Sequence, residues 1–87
     1  MLQIKIIHRE DGTSIVSEIL DSKDGKINKL AEFDYEKNCI DFDVIKDRIG
    51  DEILLDHYSG NQYDYSARKT LTKVDYDNDG IGFIAYS

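Results

Sequence analysis

Asp75, Asp77 and Asp79 stand at alternate positions of the closing segment DYDNDGIGFIAYS, and Gly80 follows at once. A calcium loop of the EF-hand type presents that pattern. It places oxygen ligands at its first, third and fifth positions, a glycine at the sixth, and a bidentate glutamate at the twelfth. The twelfth position here is Tyr86, which brings no carboxylate, and only Ser87 follows where an exiting helix would have to form. The preceding TLTKV is rich in β-branched residues and reads as a strand. A hairpin turn over Asp77-Asn78-Asp79-Gly80 satisfies all of these residues, because Asn and Asp tolerate left-handed backbone and Gly80 takes the position a side chain would resist. That turn pairs Val74 with Phe83 and Tyr76 with Ile81. No metal is assigned, and Asp75, Asp77 and Asp79 stay on as weak candidates only.

The remaining reactive side chains do not form a recognisable catalytic set. Nucleophilic catalysis needs an activated Ser, Cys or Lys beside a base and a group that orients the base. Cys39 falls in or beside a predicted hairpin loop, and nothing in the sequence brings His8 or His57 to it. The two histidines with an arginine could serve acid–base phosphodiester chemistry. A chain of net charge −7 is a poor host for that polyanion. There is no Gly-rich phosphate loop and no Cys/His zinc spacing. No enzyme and no cofactor are expected.

What the sequence does display is misplaced charge. Residues 1–29 and residues 65–87 are each balanced, so the whole excess of seven negative charges falls in residues 30–64. Direct binding to nucleic acid or to an anionic membrane is disfavoured, and a basic protein surface is the matching partner. Within this region Ala31, Phe33 and Tyr35 alternate with Glu32, Asp34 and Glu36, and Ile40, Phe42 and Val44 alternate with Asp41 and Asp43. Period-two alternation on both sides of Lys37-Asn38 predicts a hairpin with Phe33 opposite Phe42 and Tyr35 opposite Ile40 on its buried face. The other face then opposes Asp34 to Asp41 and Glu32 to Asp43. Like charges so placed destabilise a hairpin by about a few tenths of a kcal/mol per pair, a repulsion that a cationic partner would relieve. Tyr58, Tyr63 and Tyr65 lie in the same sequence region as candidate anchors for such a partner.

Positioning these residues falls to short strands. Turn signals recur as EDG at 10–12, KDG at 23–25, EKN at 36–38, IGD at 49–51, SGN at 59–61 and DNDG at 77–80. Spacings near twelve residues between apolar or alternating runs mark an antiparallel β domain. The first hairpin turns at Glu10-Asp11-Gly12, pairs Ile7 with Ile15, Ile6 with Val16 and Leu2 with Leu20, and sets His8 opposite Ser14. Its apolar residues face both ways, so this ribbon belongs at the centre of the sheet. In QYDYSAR the residues Tyr63, Tyr65 and Ala67 share one side. The segment VIKDRIGDEILLDHY fits two patterns: Ile45, Ile49 and Ile53 repeat at helical spacing, while EILLDHY also fits a strand.

Eighty-seven residues make a single domain, 1–87, with a thin core. The fold expected is all-β, a small antiparallel meander of six to eight short strands closed as a barrel or packed as a two-layer sandwich. A short helix near 44–50 would make it α+β. One cysteine forms no internal disulfide, and the apolar run at the N-terminus is too short for a signal or a membrane span and is closed by Arg9 and Glu10. A cytoplasmic protein is therefore expected. The leading functional expectation is a protein–protein interaction module, an inhibitor or nucleic-acid mimic whose acidic face docks a basic protein surface. The alternatives are an assembly component with a merely solvated acidic face, and a weak calcium-binding module at the last turn. Calorimetric titration with calcium should return no submicromolar site, and a submicromolar dissociation constant would contradict the turn assignment.

Overall fold

A computed structural model describes all residues 1–87. Six strands form one sheet: β1 (Leu2–His8), β2 (Ser14–Lys23), β3 (Lys26–Glu32), β4 (Glu52–Ser59), β5 (Gln62–Tyr76) and β6 (Gly82–Tyr86). A 3₁₀ helix, η1 (Phe42–Arg48), lies in the connection between β3 and β4. The spatial order is β3-β2-β1-β4-β5-β6. The domain is all-β with six strands and one short helix, and its sheet curls into a half-barrel.

The first hairpin forms as its residues dictate. Gly12 adopts φ 86° in the loop, and Ile6 pairs with Val16, Ile7 with Ile15 and His8 with Ser14. A bulge then shifts the register between Lys5 and Ile6, so Leu2 meets Asp21 rather than Leu20. β2 and β3 are joined by Asp24-Gly25, both at positive φ, the backbone that matches strand twist in a two-residue hairpin.

Three expectations change. The centre of the sheet is not a meander: β4 runs parallel to β1, pairing Ile4 with Leu55 and Ile6 with His57. Parallel neighbours need a long crossover, and residues 33–51 supply it. The predicted hairpin across Phe33 and Phe42 is absent, and a single bridge from Asp34 to Cys39 is all that forms. Instead Asp41 caps η1, its carboxylate accepting the Asp43 amide at 2.9 Å. Asp43 lies in the first turn and Lys46 and Arg48 in the last, each sign where the helix ends favour it. Phe42 and Ile45, three residues apart, drop together into the core, which outweighs the one extra buried aromatic that the hairpin offered; Tyr35 is left 71% exposed. The acid–acid oppositions Glu32–Asp43 and Asp34–Asp41 are thereby avoided. The last hairpin is also offset by one: Val74 meets Ile84 and Tyr76 meets Gly82, because the loop takes in Ile81 as well, with Asp77 N–H donating to the Ile81 carbonyl at 2.9 Å.

β5 is shared between two partners, its first part pairing with β4 and its last part with β6. This carries β6 round to face β1 and β2. The core fills the hollow: Leu2, Ile4 and Ile6 from β1, Ile19 from β2, Ile53 and Leu55 from β4, Leu71 and Val74 from β5, with Ile40, Phe42 and Ile45 from the connection. Arg48 fastens the end of η1, bonding Asp51 at 2.7 Å and Asp21 of β2 at 3.0 Å. Ile45 is fully buried while Ile49 is 47% exposed, although both lie on the same helical repeat in the sequence. Ile45→Ala should therefore cost about 2–4 kcal/mol in chemical denaturation and Ile49→Ala under about 0.5 kcal/mol. Equal losses would contradict η1 as the plug of the half-barrel.

Candidate functional site

The connection carries most of the acidic candidates as a string rather than a ladder. Glu32, at the end of β3, pairs with Lys29 at 3.0 Å. Asp34 turns the chain, its carboxylate accepting the amides of Glu36 at 2.9 Å and Lys37 at 3.1 Å. Asp41 is the cap of η1, and Asp43 pairs with Lys46 at 3.8 Å. The Asp43 carboxylate beside the Tyr76 hydroxyl, then desolvation, with Asp41 adding a smaller repulsion, push the Tyr76 pKa up to about 12. Asp34, Glu36, Asp41 and Asp47 have no cationic partner. Tyr35 stands between Asp34 and Glu36, and its ring meets the edge of Phe33 with centroids 4.9 Å apart.

The tyrosines of β4 and β5 lie elsewhere. The Tyr58–Tyr63 pair sits at the tip of the β4–β5 hairpin, edge to face at 5.6 Å, with the Lys5 ammonium over the Tyr58 ring at 4.4 Å. η1 leads into the opposite end of β4, at Glu52. The register shift between His57 and Tyr58 leaves Asp64 without a partner across, so Tyr63 and Tyr65 do not share a face as alternation predicted. Tyr65 stacks instead on His57, 4.4 Å between centroids. The acids and the three tyrosines form no single patch.

At the last turn the carboxylates serve the backbone. Asp77 accepts the amides of Asp79 and Ile81, each at 2.9 Å, and Asp75 accepts the Tyr76 amide at 2.8 Å. No three His, Cys, Asp or Glu side chains converge as a metal-ligating group.

A further constellation joins the two histidines, whose meeting no local feature of the sequence announces. The parallel pairing of β1 with β4 brings His8 and His57 together, Nε2 to Nδ1 at 2.8 Å, with rings stacked 5.1 Å apart. His8 Nδ1 in turn meets Ser14 Oγ at 2.7 Å. The histidines are 49 residues apart, and only the crossover makes them neighbours. They stand at one end of an open cavity of about 540 Å³ between β1–β2 and β6, which Cys39 also lines. Desolvation, then the neighbouring His8, lowers the pKa of His57, with Asp56 and Asp64 pulling weakly the other way. The short ring-to-ring contact holds one proton between the nitrogens; two imidazoliums would oppose N–H to N–H.

Comparison with protein-family models, with curated proteins and with solved structures gives no significant match. No helix is long and apolar enough to cross a membrane.

The histidine pair sets a pH dependence. An unfolded imidazole titrates near 6.5, and folded His57 below that. Between the two values the unfolded chain binds more protons, so stability is fully present above 6.5 and falls as pH falls through the window. Asp21, desolvated yet held below its ordinary value by Arg48 and the N-terminal ammonium, loses its contribution only below about 3.8, in a separate range. Thermal melts from about pH 7.5 to about pH 5 should show a decline that His57→Gln flattens. An unchanged slope in the variant would contradict the role given to the pair.

Proposed function

We propose that this chain is a non-enzymatic protein-binding module, an inhibitor or nucleic-acid mimic that docks a basic groove through the outer surface of its β3–β4 connection. The observation that carries this is Tyr35, 71% exposed in a tight turn and flanked by Asp34 and Glu36, neither of which has a cation to neutralise it. Asp41 and Asp47 extend the same unneutralised string along η1, with Lys37 as the one free cation among them. A string of carboxylates along one segment offers a nucleic-acid-binding protein the negative charge that a phosphate backbone offers it, and such charge steers encounter more than it fixes affinity. Affinity would come from the aromatic, whose edge contact with Phe33 holds it in place before binding. Asp34 and Asp41 also bond backbone amides, so they have a structural use on any reading.

A second reading, an assembly component, draws on the free edge of β3, where Ile27 is 65% exposed. The two readings separate on charge placement. The triple variant Glu36→Gln, Asp41→Asn, Asp47→Asn and the control Glu10→Gln, Asp24→Asn, Asp79→Asn carry equal net charge. Binding would be followed by surface-based kinetics on histone octamer, with duplex DNA as competitor, at about 50 mM and about 200 mM salt. The parent should associate and be displaced by DNA. The connection variant should associate about tenfold more slowly, the control much less so, and Tyr35→Ala should dissociate faster. Equal slowing in both triples would mean that net charge alone acts, and the docking face would be rejected.

A further inference from the structure

The cavity beside the histidine pair is a second site: it is lined by the inward side chains of the connection, Phe33, Ile40 and Phe42, whereas the acids lie on the connection's outer surface, and its chemistry is different. Its apolar walls are Val16, Phe33 and Ile40 on one side and Ile81, Phe83 and Ile84 on the other. A volume of about 540 Å³ falls within the range of small-molecule sites, which join an apolar lining to a few convergent polar groups. Ser14, His8, His57 and Arg9 form its polar end, and Asn38, Cys39 and Tyr86 also line it.

The charge of that end is unusual for this protein. The chain holds eighteen aspartates and glutamates, yet none lines the cavity, and Arg9 is the one side chain there with a permanent charge. Arg9 makes no ion pair; its Nε donates to Thr13 Oγ1 at 2.9 Å, which leaves the terminal nitrogens uncommitted. His57 Nδ1 is taken by His8, and His57 Nε2 has no protein partner. Proton placement follows from the relay. If Ser14 Oγ–H donates to His8 Nδ1, then His8 Nε2–H donates to His57 Nδ1, and His57 carries its own proton on Nε2. An acceptor at Nε2 selects that arrangement. A further proton on the pair would keep Nε2–H and add positive charge. The charged groups around the pair are Arg9 just past the end of β1, Asp11 close to Arg9 and bonded to the same Thr13 hydroxyl, Asp56 and Asp64 near His57, and Glu10 in the polar hollow beside His8 and Arg9.

We propose that this cavity binds a small carboxylate with an apolar chain, the chain between the two walls and the carboxylate at His57 Nε2 and the Arg9 guanidinium. A negatively charged chain repels a free anion at long range, so a preference for the charged ligand over a neutral one must arise locally.

Octanoate and octan-1-ol are the probes, titrated into the full chain at neutral pH and followed by calorimetry and by the imidazole signals in NMR. Octanoate should bind with a dissociation constant below about 1 mM and about tenfold more tightly than octanol. Arg9→Gln and His57→Gln should each weaken octanoate about tenfold and leave octanol unchanged. Arg9 is exposed on a loop, so its variant keeps the test valid if His57→Gln fails to fold. Octanoate binding no tighter than octanol, or unchanged in Arg9→Gln, would overturn the proposal. Neither result bears on histone binding by the connection, whose failure would in turn leave this site standing.

Discussion

The parallel pairing of β1 with β4 is the constraint on which the rest depends. Two strands separated by two others and a crossover lie side by side, and the side chains that hold them there are Ile4, Ile53 and Leu55, each at most 1% exposed. Burying such side chains contributes about 1.5–3 kcal/mol each, a large share of the margin available to a domain of this size. The crossover has to cover the hollow it spans, and it does so with Ile40, Phe42 and Ile45. That duty decides the local structure of the connection: a capped 3₁₀ turn in place of two alternating strands.

Both candidate sites are consequences of that arrangement. Because the apolar side chains of the connection turn inward, its acids and Tyr35 are left outside, along a segment fixed at both ends. Glu32 and the Asp34–Cys39 bridge hold one end, and Arg48 ties the other to Asp21 and Asp51. The curl of β5 from β4 to β6 leaves the half-barrel open beside the plug, where Ile40 and Phe42 still line the hollow. There the core residues Ile6 and Leu55 give way to His8 and His57, so polar groups meet an apolar hollow at its mouth.

Local rules carried the sequence reading a long way, and long-range ones did not. The Gly12 loop, the Asp24-Gly25 turn, the His8–Ser14 opposition and the Asp77 turn all rest on backbone chemistry within a few residues. Phe33, Tyr35, Ile40 and Phe42 misled because their spacing suits both a strand and a capped turn. Ile45, three residues after Phe42 and preceded by the capping Asp41, was the signal that distinguishes them. Bulges at Lys5/Ile6 and at His57/Tyr58 reversed faces that strict alternation would have kept, because one extra residue in a strand turns the side chains beyond it over. The meeting of His8 with His57 had no local signature, since parallel partners are chosen by whole-core packing rather than by a turn.

β1 pairs in parallel with β4 while the connection folds over the core as a capped turn. Backbone nuclear Overhauser contacts test it most directly, because strand direction fixes which protons approach. Parallel-type amide-to-Hα contacts should link Ile4 with Leu55 and Ile6 with His57, together with sequential amide contacts through Phe42–Arg48. Close Hα–Hα contacts between residues 32 and 43 or 34 and 41, the mark of an antiparallel hairpin, would contradict it.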